Sequence, residues 1–283
     1  MSKPIASASR VKEILTKYDL HAKKGFGQNF LTDASVVQRA ANASHSEGAV
    51  IEIGPGIGSL TQQLAEVSQH VRCYEVDERL PKILEDTLSE YDNVEVLLQD
   101  FLECDIEASV KELKEKYGSV SVCANLPYYI TTPVLFKLFE CKESIDYITV
   151  MVQKEVADRF SAPVNSKTYG ALSVESQYLY EVKTLFKVPA QCFNPAPRID
   201  SAIVQFKRRE VLEDIGDKEA YFNFIKACFV QRRKTLFNNL KAITASSEEA
   251  LSVIEKAGLK PSVRAQELDR DAFMNLYRVY LNR

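Results

Sequence analysis

The sequence predicts an α/β fold: a mainly parallel sheet with helices on both faces, followed by a small all-helical domain. Two observations predict it. Short runs rich in β-branched residues, at 49–53, 71–76, 94–98, 120–124 and 145–152, alternate with helix-length polar–apolar patterns, as expected of parallel strands joined by crossover helices. From about Asp217 onward the strand-like runs stop and only helical spacing remains.

The elements follow in order. Residues 9–17 and 33–43 have helical spacing, and between them lies the basic, glycine-containing segment Lys23-Lys24-Gly25-Phe26-Gly27-Gln28-Asn29-Phe30-Leu31. The first strand-like run feeds a glycine turn, Gly54-Pro55-Gly56-Ile57-Gly58, with a helix expected from near Ser59. After Lys154 the pattern reads as a helix and then a strand at 180–188. A proline-studded loop, 189–197, leads to a last strand at 201–207. The two late strands are expected as an antiparallel addition at the sheet edge. Helices are expected at 221–230, 234–243, 248–257 and 271–281, with Gly258 and Pro261 stopping the third. The predicted division is a catalytic domain over 1–210, with 1–45 as a helical extension, and a helical domain over 211–283.

Composition narrows the function classes. The chain has 283 residues, 46% hydrophobic and 27% charged, ordinary for a globular protein. No apolar run approaches the roughly 20 residues needed to span a bilayer. Residues 1–10 lack the apolar core of a secretory signal, so a cytoplasmic location is expected, with no membrane partner. The six cysteines are scattered without a C-x-x-C pair, which argues against zinc and against a disulfide framework. No metal is expected. The three histidines have no Ser or Asp arrangement resembling a triad. Residues 207–283 carry 15 basic and 11 acidic side chains, against 21 and 28 in residues 1–206. A mildly basic tail beside an acidic body suits a polyanionic partner, although chance variation over so short a tail is an equal reading.

The chemistry-bearing residues fall at successive strand ends. Asn125-Leu126-Pro127-Tyr128 follows the run 120–124. An amide oxygen and the Leu126 carbonyl can each accept an N–H, Pro127 stiffens the loop, and Tyr128 offers a π-face. That set suits a flat base bearing an exocyclic amine. The turn with Gly54 and Gly56 lets backbone approach a ligand, but Ser59 stands where a dinucleotide fingerprint needs its third glycine. Glu75, 21 residues after Gly54, is placed to accept both hydroxyls of a ribose, and Asp100 to accept from an adenine amine. These strand ends together favour a nucleoside cofactor without phosphates, S-adenosyl-L-methionine, and methyl transfer to adenine.

Six ordered motifs carry a family resemblance. Gly27-Gln28-Asn29-Phe30-Leu31, Glu52-Ile53-Gly54-Pro55-Gly56, Asn125-Leu126-Pro127-Tyr128 and Gln153-Lys154-Glu155-Val156 resemble the ribosomal RNA adenine dimethyltransferases. Tyr169-Gly170-Ala171-Leu172-Ser173 and the run from Phe193 to Ser201, Phe-Asn-Pro-Ala-Pro-Arg-Ile-Asp-Ser, are similar to the bacterial small-subunit (16S) dimethyladenosine transferase type. The resemblance is close over about 20–210 and looser beyond. Tyr129 and Ala196 depart from residues common in the family, and neither removes a group the chemistry requires.

The resemblance implies a Rossmann-like S-adenosylmethionine-dependent methyltransferase sheet. It also implies dimethylation of the exocyclic amines of two adjacent adenosines in a hairpin loop near the 3′ end of 16S rRNA. Asn29, Leu31, Gly54, Glu75, Asp100 and Asn125 would line the cofactor site, Asn29 and Leu31 on the resemblance alone. Phe193 is the candidate for the base face opposite Tyr128, a packed loop anchor being the alternative. Lys23, Lys24, Lys154, Arg159, Arg198, Arg232, Arg233 and Lys234 are the candidate phosphate contacts. The expected partner is 16S rRNA in the immature 30S subunit, met by a monomer in ribosome biogenesis. Two rivals stay open: a large-subunit (23S) adenine methyltransferase of the macrolide-resistance type, and a chiefly non-catalytic 30S assembly factor.

Overall fold

A computed structural model of the chain describes residues 3–23, 25, 27–141 and 145–283. Along the chain come α1 (Ala8–Lys17), β1 (Phe30–Leu31), α2 (Ala34–Asn42), β2 (Ala49–Ile53), α3 (Ser59–Val67), β3 (His70–Glu75), α4 (Pro81–Thr87), β4 (Val94–Leu98) and α5 (Ile106–Tyr117). They are followed by β5 (Val120–Asn125), α6 (Thr131–Glu140), β6 (Tyr147–Gln153), α7 (Lys154–Phe160), α8 (Ala171–Leu179), β7 (Tyr180–Val188), β8 (Phe193–Asn194) and β9 (Ser201–Arg208). Helices α9 (Lys218–Cys228), α10 (Leu236–Leu240), α11 (Ser247–Lys256) and α12 (Arg270–Leu281) complete it.

The seven-stranded sheet has the order β4-β3-β2-β5-β6-β9-β7. Its first five strands pair in parallel, and β9 joins β6 antiparallel, from Tyr147 opposite Lys207 to Gln153 opposite Ser201. Every residue of β2 is buried, because strands flank it on both edges and helices cover both faces. Val50 joins a cluster with residues of α2 and α3. On the opposite face, the Tyr74 hydroxyl and Arg72 Nη1 reach Ser109 on α5. Strand order reverses at β2 and β5, which opens a crevice beyond their carboxyl ends.

Two compact units result, 1–157 with 183–208, and 158–182 with 209–283. A single cut at 210 is therefore corrected at 158–182. The reason is packing that sequence spacing does not show: Tyr178 of α8 meets Tyr221 of α9 edge-on at 5.4 Å, and the Tyr169 hydroxyl donates to the Leu268 carbonyl. The helix expected at 234–243 is shorter, because beyond Leu240 the hydrogen bonds tighten to three-residue steps, Ala242 to Asn239 and Ile243 to Leu240. Among the described residues no helix is long and apolar enough to cross a membrane.

Candidate active site

The crevice in the first unit is an open cleft of ≈ 960 Å³, the solvent space at its mouth included. Its walls come from the strand ends and from the segment preceding β1. Lining it are Asn29, Leu31, Gly54, Gly56, Glu75, Asp100, Asn125, Leu126, Pro127 and Tyr128, residues singled out from sequence, together with Glu52, Gln28 and Tyr129 among others. Among the described lining residues are three carboxyl groups, those of Glu52, Glu75 and Asp100, and no Lys or Arg.

The glycine turn forms the floor. Gly54, Gly56 and Gly58 have φ of 70°, 60° and 92°, a region closed to most side chains. Gly58 caps α3 without a side-chain bond, so the first N–H groups of that helix have no side-chain acceptor there.

Glu75, at the end of β3, is buried. Its Oε1 accepts the N–H groups of Val76 and Asp77, both at 2.8 Å, and its Oε2 that of Gly56 at 3.4 Å. Burial pushes its carboxyl above the usual range, and these N–H donors pull it back. Asp100 lies past β4, with Oδ1 accepting from the Leu102 N–H at 2.8 Å.

Asn125 ends β5. Its Nδ2 donates to the Asn29 carbonyl at 3.4 Å, which commits the amine end of the amide to the wall and leaves Oδ1 as its acceptor. The next residue is tied down as well, the Leu126 N–H donating to Met151 of β6 at 3.2 Å. Tyr128 is half-buried, and its hydroxyl shares a 2.8 Å hydrogen bond with Ser201 at the start of β9. That hook fixes the position of the far end of the ring. Ser201 was legible only as the last residue of a motif, with nothing to mark it as a support for Tyr128. Tyr129 is 56% exposed at the rim.

Phe193 is placed elsewhere. It is 5% exposed, pairs with Leu31 in the two-stranded β1–β8 ribbon and packs in the core cluster beside Val188 and Ile203. It is not a lining residue. As positioned, Phe193 anchors the loop, and its apolar ring explains why. Phe193→Ala is accordingly expected to cost about 3–5 kcal/mol of stability, read as a lower thermal midpoint. A normal midpoint with lost turnover would restore the base-stacking role.

The basic candidates are dispersed. In the first unit, Lys23 lies 3.6 Å from Asp77, Lys154 is half-buried and Arg198 exposed. Lys24 lies outside the described residues. In the second unit, Arg159, Arg232, Arg233 and Lys234 are exposed, and Arg232 Nη2 donates to the Lys167 carbonyl at 2.9 Å.

Glu52 is a lining residue that sequence reasoning passed over. It is 1% exposed, its Oε2 accepts from Cys73 Sγ at 3.6 Å, and burial raises its pKa to about 8, the nearby charge of Glu75 adding to the rise. A carboxyl that holds its proton in the folded state but releases it near 4.5 when unfolded loses stability as pH rises between those values. Stability should therefore fall from pH 5 to pH 8 by an amount on the order of a few kcal/mol. Glu52→Gln should flatten that slope in urea melts taken across the range.

Comparison with known proteins agrees with the geometry. The ribosomal RNA adenine dimethylase family matches residues 19–281. A ribosomal RNA small subunit methyltransferase A of Streptococcus thermophilus is 46% identical, over 96% of each chain. Its namesake from Bacillus licheniformis is 48% identical, over 91% of this chain and 89% of its own. Among solved structures, 23S rRNA methyltransferase ErmE superposes with a TM-score of 0.70 at 26% identity, covering 89% of this chain and 99% of its own. A dimethyladenosine transferase from Plasmodium falciparum has a TM-score of 0.75 at 24% identity, covering 89% of this chain and 97% of its own, and shares the fold. With strand ends, cleft and motifs in register, the chain belongs to the ribosomal RNA adenine dimethylase family.

Proposed function

We propose that this chain dimethylates the exocyclic amines of two adjacent adenosines near the 3′ end of 16S rRNA, using S-adenosyl-L-methionine. One observation carries the reading. In a single cleft, Asn125 has its amide nitrogen bound to the Asn29 carbonyl, and Tyr128 is hooked to Ser201. The cleft fits the cofactor: the Glu75 and Asp100 carboxyl groups that line it suit a sulfonium and a ribose better than a pyrophosphate. When bound, S-adenosylmethionine supplies an electrophilic methyl on a sulfonium that leaves as a thioether.

The protein's own contribution is placement. Glu75 accepts the ribose hydroxyls, and Asp100 the adenine amine of the cofactor. The face of Tyr128 receives the flipped target base. Asn125 Oδ1 and the Leu126 carbonyl accept the two amine hydrogens, drawing the nitrogen out of conjugation and favouring the positive charge that grows on it. A nitrogen so drawn out would be a nucleophile towards the methyl that the bound cofactor would supply, and the proton it sheds would pass to water, so these residues need supply no general base. Holding amine and methyl in line supplies much of the remainder.

Phosphate contacts come from Lys23, Lys24, Lys154 and Arg198, and from Arg159, Arg232, Arg233 and Lys234 of the helical unit, giving salt-sensitive binding. The working form is a cytoplasmic monomer acting on the immature 30S subunit during ribosome biogenesis. The test is nucleoside mass spectrometry after incubating the protein and labelled cofactor with immature 30S particles, and separately with naked large-subunit RNA. Dimethyladenosine in the 30S arm supports the reading. Label confined to large-subunit RNA, or absent from both arms, overturns it.

A further inference from the structure

The turn after β3 holds a cluster that neither the cofactor nor the base pocket uses. Asp77 is 2% exposed. Its Oδ1 accepts from Arg79 Nε at 2.9 Å, and its Oδ2 from Arg79 Nη2 at 2.6 Å and from Gln28 Nε2 at 2.9 Å. Gln28 Oε1 accepts in turn from the Lys23 N–H at 2.9 Å and from Arg79 Nη2 at 3.4 Å. Arg79 Nη1 also donates to the His21 carbonyl at 3.2 Å. The segment before β1 is thereby pinned to the β3 turn at two of its residues, His21 and Gln28.

An ordinary turn aspartate accounts for only part of this. The local role is met by Oδ1, which accepts the Arg79 N–H at 3.3 Å. The bond from Gln28, 49 residues upstream, serves nothing in the turn. It does fix the wall of the cleft. Gln28 precedes Asn29, whose carbonyl receives the Asn125 amide, and the Asp77 N–H donates to Glu75. An isolated surface ion pair contributes little, but a buried carboxylate with its donors removed is costly, so the arrangement holds one state of the wall.

We propose that Asp77, with Gln28 and Arg79, is a positioning clasp: it closes the wall formed by Gly27, Gln28 and Asn29 over the cofactor and, through the Asn29 carbonyl, aims the Asn125 amide at the target amine. The inference rests on the cofactor reading above. Loosening the clasp lowers the fraction of protein with the wall in place, which weakens cofactor binding by that fraction; RNA affinity falls far less, because only Lys23 and Lys24 of the eight phosphate contacts lie on the segment it holds.

The test uses the full chain and S-adenosylhomocysteine titrated by calorimetry, with turnover on 30S particles and thermal melts alongside. Gln28→Glu sets a second carboxylate against Asp77 on a partly exposed loop, where folding is not at stake. It should raise the dissociation constant at least about tenfold and lower kcat, with KM for 30S particles rising by less than about threefold. Asp77→Asn should do the same. The exchanged pair, Asp77→Asn with Gln28→Glu, restores a donor facing an acceptor and a charge for Arg79. It should bind within about threefold of wild type, a coupling that two independent losses would not show. A merely structural role would lower the melting temperature and leave the dissociation constant alone. Single variants that bind like wild type, or an exchanged pair no better than either single variant, overturn the clasp. Wild-type protein that binds no S-adenosylhomocysteine overturns the cofactor reading and the clasp with it.

Discussion

Asn125→Ala is expected to lower kcat on 30S particles by about 10²–10³-fold, the range seen when one preorganised polar group is removed from a developing charge. Two losses combine. The acceptor facing the target amine disappears, so the lone pair remains shared with the ring. The tie to the Asn29 carbonyl also goes, leaving that wall without its partner on β5. Each decade is about 1.4 kcal/mol of transition-state stabilisation, so the expected loss is about 3–4 kcal/mol, more than an ordinary neutral hydrogen bond contributes to stability. Single-turnover rates with saturating cofactor isolate this effect from binding. A rate within threefold of wild type would remove Asn125 from the chemistry. Asn125→Asp is a sharper version, because its carboxylate cannot donate to the Asn29 carbonyl and must turn away from it.

The second large effect is on cofactor affinity. Glu75→Ala should weaken S-adenosylhomocysteine binding by about 10²-fold or more, since charge-assisted hydrogen bonds to two hydroxyls are each worth about 1.5–3 kcal/mol. The substitution also strands the N–H groups of Gly56, Val76 and Asp77, whose acceptor it removes. The glycine turn and the β3 turn share that one carboxylate, so the loss has a stability component. Glu75→Gln separates the two: it preserves volume and one accepting oxygen, and should keep most of the stability while still losing at least about tenfold in affinity. Calorimetry and thermal melts on both variants check this. Melting temperatures that fall without any change in affinity would mean that Glu75 only joins the turns.

The parallel strands were legible because each is a short run rich in β-branched residues, buried on both faces except at the edge strand β4. The 49–53, 94–98 and 180–188 strands agree to the residue and the other expected strands to within two. The glycine turn was equally plain, since no other residue takes those dihedrals cheaply. Gly54, Gly56, Glu75, Asp100 and Asn125 meet in one cleft because they sit at or just beyond the carboxyl ends of parallel strands, which lie on one side, whereas Asn29 and Leu31 reach it from β1 and its approach and were expected on the resemblance alone.

What escaped notice depends on partners distant in sequence. The two-residue strands β1 and β8 are too short to have a period. Phe193 reads as an aromatic in a motif whether it faces a base or the core, and only its pairing with Leu31 settles where it lies. Gln28, Asp77, Arg79 and Ser201 are polar residues in loops or at a strand start. Their significance lies in bonds spanning 49 and 73 residues. The allegiance of 158–182 was hidden likewise, because six of the nine residues of α8 are buried, polar ones among them, so no face of its sequence marks a side, and contacts such as Tyr178 with Tyr221 decide.

The bond between Tyr128 and Ser201 limits how this chemistry can be transplanted. Moving Asn125, Leu126, Pro127 and Tyr128 alone onto another nucleoside-dependent sheet would deliver an aromatic plate free to swivel, since its tether belongs to a strand encoded seventy-odd positions later. An engineered graft would need the antiparallel strand β9 as well, and a chimera lacking it should recognise cofactor yet leave adenine untouched.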